Sequence, residues 1–318
     1  MHDIVVPLDG SSYSEHAIPG ALDLARRTRA RLYLVQVHEL VLPVPAVPEL
    51  PVVAGEWDSA LRAQEERYLE SLADRCAEMA GLRPRTALLE GVVSAALASY
   101  AAEVGADLIV MTTHGRGGIS RAWVGSVADA LVRRAAVPVL LLRPTAERID
   151  WHATLPAKHI LVPLDGSALS ESALTPALAL GATTGARYTL LRVVLPLPFV
   201  SVPHAPPVFS DAGARQERAD ADVYLVQIAT RLRAQGAVVA VEALLHSIPA
   251  LGILDYANSH AVDAIVMATH GRGGWSRVAL GSVADKVMRG TLLPVMLYRP
   301  TTAPDYEDIE SYAAATAP

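Results

Sequence analysis

The chain has 318 residues, 52% of them hydrophobic and only 5% aromatic, and its formal net charge at pH 7 is -6. This length predicts about two domains, and the composition predicts cores of Ala, Val, Leu and Ile and excludes disorder for the body of the chain. Acidic residues are concentrated in the C-terminal tail, at Asp305, Glu307, Asp308 and Glu310. The rest of the chain has no basic excess, which argues against a nucleic-acid partner.

The N-terminal residues lead directly into a strand-like run, so we expect no signal peptide. The longest uncharged run, 193–210, contains five prolines and is too short for a spanning helix, so we interpret it as a surface loop. Cys76 is the single cysteine, which precludes an internal disulfide. These features predict a cytoplasmic protein with no membrane partner.

Short apolar runs alternate with helical patterns through the first half of the chain. The predicted elements are strands at 4–8, 32–37, 86–89, 108–111 and 139–142, and helices at 14–29, 58–80, 93–104 and 125–136. Strict alternation of this kind predicts the α/β class, with a doubly wound, five-stranded parallel sheet. A proline-rich insert at 40–55 follows the second strand, and we expect it to stay extended and outside any sheet.

The second half repeats the first at an offset of 156 residues. Val-Pro-Leu-Asp-Gly-Ser at 6–11 returns at 162–167, and Thr-His-Gly-Arg-Gly-Gly at 113–118 returns at 269–274. Two tandem domains with equivalent sites are therefore predicted. The expected boundaries are a first domain at 1–147, a linker at 148–157, a second domain at 158–301 with its own insert at 195–213, and a disordered acidic tail at 302–318.

The glycines after the fourth strand of each copy predict a phosphate site. Glycine lets the backbone approach an anion, and the amides and dipole at the start of the next helix attract negative charge. Ser126 and Ser282, each behind a glycine, could donate a hydroxyl or could simply cap that helix. The glycines could also serve only as turn residues, but other residues of the loop recur as well, which favours the site: Arg116, Gly117, Ser120 and Arg121 return as Arg272, Gly273, Ser276 and Arg277.

A carboxylate follows the first strand of each copy, at Asp9 and Asp165. In an open parallel sheet this end of the central strands borders the ligand crevice, so either carboxylate could meet ribose hydroxyls or a magnesium ion. The alternative is that Asp-Gly-Ser makes the turn and caps the following helix.

Together the motifs resemble the universal stress protein family. The matching features are Val-Pro-Leu-Asp-Gly-Ser near the start, Met-x-Thr-His-Gly separated by nine residues from Gly-Ser, and a closing Pro-Val-x-Leu-x-Arg-Pro, in both halves. The resemblance is to the ATP-binding branch, and it implies Rossmann-like domains, similar to the adenine nucleotide alpha hydrolases, that bind ATP with Mg²⁺ held through the phosphates.

The resemblance also implies which residues meet the nucleotide. In the first copy these are Pro7, Leu8, Asp9, Val37, Met111, Gly115, Arg116, Gly125, Ser126 and Val127, and in the second they are Pro163, Leu164, Asp165, Val193, Met267, Gly271, Arg272, Gly281, Ser282 and Val283. The two valines of the second strands would meet adenine. The two arginines could meet the distal phosphates or could be ordinary solvated arginines in an exposed loop. Core packing is an equally good account of Val37, Val193, Met111 and Met267.

The sequence departs from the family signature at its first glycine, which is Thr112 in one copy and Ala268 in the other. Because a methyl group obstructs less than a β-branched side chain, we expect unequal sites, with the second less perturbed. The apolar last strands, at 137–142 and 293–297, predict an internal pseudo-dimer of the two copies, since an exposed apolar edge needs a cover. Two chains could then form a homodimer through the inserts.

Three functions remain open at this point. The first is a nucleotide-sensing regulator of the stress response with an unknown protein partner. The second is a slow ATPase or phosphotransferase, for which Asp9 and Asp165 are available but no catalytic base is evident. The third is a nucleotide-free scaffold in which the glycines only shape turns. The paired loops favour the regulator.

Overall fold

The computed structural model describes residues 1–39, 51–113, 125–144, 148–196, 198–200, 208–209, 211–269 and 280–299. It divides the chain into two compact units, Met1–Leu155 and Pro156–Pro318. The boundary between the units falls within the segment 148–157 that the sequence predicts to be a linker.

The first unit alternates strands and helices. Its strands are β1 (Asp3–Leu8), β2 (Arg31–His38), β3 (Arg85–Glu90), β4 (Leu108–Thr112) and β5 (Val139–Leu142). Its helices are α1 (Ser12–Glu15), α2 (Ala17–Thr28), α3 (Pro51–Ala80), α4 (Val93–Glu103) and α5 (Ser126–Arg134). The strands are parallel in the order β5-β4-β1-β2-β3. The predicted five-stranded, doubly wound α/β domain is therefore confirmed for this unit.

The second unit has the same architecture with one addition. Its strands are β6 (His159–Pro163), β7 (Arg187–Val194), β8 (Pro198–Val200), β9 (Val208–Phe209), β10 (Val238–Leu245), β11 (Ala264–Ala268) and β12 (Val295–Tyr298). Its helices are α6 (Ala168–Glu171), α7 (Leu174–Ala182), α8 (Asp211–Ala234), α9 (Pro249–Ser259) and α10 (Ser282–Gly290). The main sheet is again parallel, in the order β12-β11-β6-β7-β10.

The chain changes direction within each sheet at one place. In the first unit it runs outward from β1 through β2 to β3, then returns to β4 on the other side of β1. The carboxyl ends of β1 and β4 therefore border the crevice in which ligands of such sheets bind. In the second unit the corresponding pair is β6 and β11. All residues of β1 and β6 are buried, as expected for central strands covered on both faces.

The proline-rich inserts differ from our expectation. The first does not stay extended to residue 55, because α3 begins at Pro51, and proline is well tolerated in a first helical turn, where its missing N–H has no intrahelical partner. The second forms a sheet of its own, the antiparallel pair β8–β9. Proline is compatible with a two-stranded sheet because each strand has an unpaired edge. Residues 40–50, 197, 201–207 and 210 of the inserts lie outside the described residues.

Candidate functional site

The turn after β1 is built around Asp9. Its Oδ1 accepts hydrogen bonds from the Ser11 backbone N–H, at 3.0 Å, and from the Ser11 hydroxyl, at 2.6 Å. The Ser11 hydroxyl in turn caps α1 by accepting from the Ser14 N–H at 3.3 Å. Gly10 between them has a φ of 79°, which glycine adopts without strain. The carboxylate thus holds the turn and helix start in place, as in the alternative interpretation of Asp-Gly-Ser.

The second unit reproduces this turn around Asp165. Its Oδ1 accepts from the Ser167 N–H at 2.9 Å and from the Ser167 hydroxyl at 2.6 Å, and Ser167 caps α6 through the Ser170 N–H at 3.1 Å. Pro163 ends β6, and the next residue, Leu164, donates its N–H to the Leu191 carbonyl at 2.8 Å. In the first unit Pro7 and Leu8 are the last residues of β1. Both carboxylates are therefore held in a fixed orientation at the carboxyl end of a central strand.

The start of α5 is tied to the end of β4. The Gly125 N–H donates to the Thr113 carbonyl at 2.7 Å, and the Gly125 carbonyl accepts the first helical hydrogen bond, from Asp129, at 3.0 Å. The second unit repeats both bonds, from Gly281 to Thr269 at 2.8 Å and from Asp285 to Gly281 at 2.9 Å. The two predicted glycines are therefore the N-cap residues of nine-residue helices that begin beside the switch point.

Ser126 and Ser282 are not N-cap residues, which corrects one of the two roles considered for them. Each is the first residue of its helix and is exposed, whereas the N-cap position is glycine, which has no side chain to satisfy the first amides. The early N–H groups of a helix have no intrahelical partner, and the dipole places partial positive charge there. Val127 and Val283 belong to the same first turns.

The second strand of each unit extends past the first. The last pair between β1 and β2 is Leu8 with Gln36, but β2 continues through Val37 to His38. In the second unit the last pair between β6 and β7 is Pro163 with Leu191, and β7 continues to Val194. The backbone edges at Val37 and Val193 therefore lie beyond the end of the neighbouring central strand.

The fourth strands bring the remaining described candidates to the same end of the sheet. Met111 and Met267 are buried near the ends of β4 and β11, and Thr112 and Ala268, which replace the first signature glycine, are buried next to them. Gly115, Arg116, Gly271 and Arg272 lie outside the described residues. Their predicted contacts with phosphates stay predictions.

A cleft of about 640 Å³ opens at this end of the first unit. Its lining comes from the ends of β2 and β3, from α3 and from the starts of α4 and α5: His38, Glu39, Arg62, Glu90, Gly91, Val92, Val93, Ser94, Ser126, Val127 and Ala130. The volume is in the range of sites for drug-sized ligands. The cleft joins the predicted phosphate end, at Ser126, to the end of β2.

The structure adds a polar network at this cleft that the sequence analysis missed. The His38 side chain is 1% exposed, and its Nδ1 lies 2.6 Å from Glu65 Oε2 while its Nε2 lies 2.8 Å from Asp58 Oδ1. Burial alone would lower the pKa of His38, but the bonds to Glu65 and Asp58 outweigh it and the pKa is raised. Gln36 donates its Nε2 to Glu65 at 3.0 Å, and its buried Oε1 has no partner among the described residues.

A signal for this network was present in the sequence. Asp58, Arg62 and Glu65 fall at helical spacing on one face of the predicted helix, and a histidine ends the preceding apolar strand. Arg62 bonds to Asp58 at 2.8 Å through Nε and pairs with Glu90 at the mouth of the cleft. The contacts of His38 with Asp58 and Glu65, and of Arg62 with Glu90, join residues 20 to 28 positions apart, so they depend on the fold. The bond between Arg62 and Asp58 joins residues one helical turn apart and requires only the helix.

The described residues contain no group of three His, Cys, Asp or Glu side chains placed to hold a metal ion. Among the helices that the structure describes, none is both long and apolar enough to cross a membrane.

Comparisons with known proteins agree with the repeat. The model of the universal stress protein family matches residues 1–143 and again 156–299. A universal stress protein of Mycolicibacterium smegmatis is 26% identical over 300 residues, which cover 94% of this chain and 97% of the relative. One of Methanocaldococcus jannaschii is 34% identical over 142 residues, or 44% of this chain and 81% of the relative. The crystal structure of a universal stress protein from Archaeoglobus fulgidus has a TM-score of 0.65 at 19% identity, covering 94% of this chain and 96% of that one, and it supports the fold.

Proposed function

The chain belongs to the universal stress protein family, and from this premise we propose that each unit binds an adenine nucleotide and that the protein is a nucleotide-dependent regulator of the stress response. The observation that carries the proposal is the duplicated start of α5 and α10. In both units a glycine N-cap, tied to the end of the fourth strand, presents the first amides of a helix at the switch point of the sheet. This arrangement suits a phosphate group.

The other parts of a nucleotide have suitable neighbours at the same edge. Asp9 and Asp165 are held by serines at the ends of the central strands, where a carboxylate can accept hydrogen bonds from ribose hydroxyls. The backbone edges at Val37 and Val193 extend past the first strands and can exchange hydrogen bonds with a planar base. The donor set of each unit therefore fits an adenine nucleotide, with Mg²⁺ held through the phosphates.

The proposal includes no catalytic step. The only described histidine at the first cleft, His38, has both ring nitrogens bonded to carboxylates and so has no free base to offer. Binding and release of the nucleotide would therefore be the regulatory event. Surfaces that change when the nucleotide binds would then contact a partner protein. A second copy of this chain, forming a homodimer, is one such partner.

Substitution of the first helical residue tests the phosphate assignment. We expect Ser126→Glu and Ser282→Glu each to remove about one of two bound ATP molecules, because a carboxylate at the helix start repels phosphate. The helices themselves should tolerate the change, since acidic residues are favourable in a first turn. Calorimetric titration with Mg²⁺ and ATP measures the stoichiometry, and Ser99→Glu, on an exposed position within α4, is the control.

A second experiment denatures freshly purified protein and identifies the released small molecules by chromatography and mass, which reveals the natural ligand. ATP near two per chain supports the proposal, and ADP accumulating with time would indicate slow hydrolysis. If wild-type protein binds no adenine nucleotide at saturating concentration, or if a variant that combines Ser126→Glu with Ser282→Glu binds as well as wild type, the proposal is wrong and the scaffold alternative is favoured.

A further inference from the structure

The mouth of the first cleft is surrounded by acidic side chains. Glu39 and Glu90 are exposed and line it, and Asp58 and Glu65 lie behind them on α3. Arg62 is a cation of the cleft wall, as is the buried His38, but the Arg62 Nε donates to Asp58 at 2.8 Å and its Nη1 pairs with Glu90. These partners raise the pKa of Arg62 and leave its charge neutralised within the protein.

The second unit has different residues at the same places. The offset of 156 carries Arg62 to Arg218, and the strand registers place Leu245 beside Val194 as they place Glu90 beside His38. The carboxylates of the first unit are replaced as follows: Glu39 by Leu195, Asp58 by Ala214, Glu65 by Ala221 and Glu90 by Leu245. The acidic surroundings of the arginine are therefore absent at these positions of the second unit.

Arg218 is accordingly more available than Arg62. Its side chain is 49% exposed, and its ion pair within the described part of the chain is with Glu242, at the long distance of 3.6 Å. The other new charge nearby is Arg192, which replaces Gln36 and lies 5.0 Å from the centre of the Tyr224 ring. Arg192 and Glu242 offset each other in charge, and replacement of His38 by Val194 removes one positive charge, so the loss of four carboxylates is compensated only in part.

Elsewhere in the two sites one lining position changes charge: Ala130 of the first cleft corresponds to Lys286, a further cation of the second unit. The segments 114–124 and 270–280 both carry one histidine and two arginines at matching positions, and Asp9 is matched by Asp165. The difference in charge between the sites therefore arises from the ends of the second and third strands, from the facing helix and from Lys286 on α10.

We infer that the two sites select adenine nucleotides by phosphate charge, the second unit favouring ATP and the first accepting nucleotides of lower charge, such as AMP. This inference rests on the proposed function and adds selectivity to it. Without metal, ATP carries about two more negative charges than AMP. Glu39 and Glu90 line the same cleft as Ser126, which lies at the helix start proposed to bind phosphate, and their charge opposes those extra charges. In a partly solvated cleft the combined effect of the carboxylates is about tenfold in relative affinity.

The experiment compares the sites one at a time in the full-length protein. The Ser282→Glu variant retains nucleotide binding only at the first site, and the Ser126→Glu variant retains it only at the second. We expect the ratio of the Kd for AMP to the Kd for ATP, measured without metal at low salt, to be about tenfold larger for the second site. The gap should narrow when Mg²⁺ neutralises part of the ATP charge, and also at high salt.

Reciprocal substitutions test which residues are responsible. In the first site, Glu39→Leu with Glu90→Leu should raise the ATP preference toward that of the second site, because Arg62 is also released. In the second site, Leu195→Glu with Leu245→Glu should lower it. All four positions are exposed, so the variants should fold, and their thermal midpoints check this.

The outcomes separate the two proposals. Equal ratios at the two wild-type sites, or ratios that do not move in the exchanged variants, overturn the selectivity while leaving nucleotide binding intact. If neither site binds adenosine, AMP or ATP, the proposed function fails and the selectivity fails with it. Thr112 and Ala268 are unchanged in the exchanged variants, so their effect cancels when each exchanged variant is compared with the protein from which it was made.

Discussion

His38 shows how one side chain can make two homologous halves behave differently. Both of its ring nitrogens are bonded to carboxylates, which requires the charged imidazolium to donate twice. The facing groups are Asp58, Arg62 and Glu65 of α3, with Gln36 on the same strand. Asp58 also has a lowered pKa, caused first by Arg62 and then by His38. Val194 occupies the equivalent position in the second unit.

The raised pKa of His38 predicts a pH-dependent stability of the first unit. A raised folded-state pKa contributes stability that is fully present below the unfolded pKa, about 6.5, and is lost as pH rises through the folded value. Denaturant unfolding at a series of pH values between 5 and about 9 measures this loss of stability, and hydrogen exchange in β2 shows that it occurs in the first unit. We expect His38→Gln to abolish the pH dependence and to cost about 3 kcal/mol at low pH, because two carboxylates lose their charged partner.

The His38→Gln variant has a built-in comparison. Protection from exchange in β7 of the second unit, where Val194 lies, should not fall as the pH rises in either protein. Burial lowers the pKa of His159, which contacts Thr189 of β7, so stability in this strand should instead fall as the pH drops below about 6.5. A pH dependence of β2 that persists in the variant would show that another group is responsible.

At the scale of elements, the two units solve the same packing problem with different volumes. In the second unit Gly181 of α7 faces Tyr188 of β7, and a Cβ atom at Gly181 would lie only 2.1 Å from the tyrosine Oη. Burial raises the pKa of Tyr188 to about 12. At the equivalent places the first unit has Ala25 and Leu32, both buried. The larger strand residue, Tyr188, thus faces the smaller helix residue, Gly181, and the smaller strand residue, Leu32, is matched with the larger helix residue, Ala25.

This exchange of volume predicts strong coupling between the two positions. We expect Gly181→Ala to destabilise the protein by about 1–3 kcal/mol, because the tyrosine must move out of a packed site. Adding Tyr188→Leu, which reproduces the pair of the first unit, should recover most of that loss. Denaturant unfolding of the two single variants and the double variant gives the coupling energy. A neutral Gly181→Ala, or strictly additive effects, would contradict this account.

At the scale of the whole molecule, the repeat provides two units with equivalent cores. Leu34 on β2 and Leu190 on β7 are separated by the repeat offset, and both are fully buried. The pairing of the two units into a pseudo-dimer stays a prediction, as does the association of two chains. What the structure describes is a compact unit on each side of residue 155.

Matched core truncations test whether each unit has its own stability. We expect Leu34→Ala and Leu190→Ala each to cost about 2–5 kcal/mol, since each leaves a cavity in a closely packed sheet core. Hydrogen exchange should accelerate first in the strands of the substituted unit. Equal acceleration in both units from either substitution would show that the chain unfolds as one cooperative body.

Much of this architecture was predictable because it depends on local patterns. The five strands of the first unit were predicted to within two residues at each end, since apolar runs between turn residues are legible along the chain. The predicted helix at 14–29 is in fact two helices, α1 and α2, with His16 between them. The error arose because Ser11 caps a helix of only four residues, which is too short to leave a periodic signal.

The duplicated motifs, the α/β class and the helix starts at Gly125 and Gly281 could be inferred from the order of residues, because spacing and repetition survive without coordinates. That these glycines, and not the serines behind them, are the N-cap residues emerged only from the structure. The contacts of Glu65 with His38, of Arg62 with Glu90 and of Gly181 with Tyr188 could not, because strand register and helix orientation decide them. The first two of these contacts decide which carboxylates surround His38 and Arg62 at the first cleft. A charge has a defined effect only when its distance and its partner are known, and folding sets both.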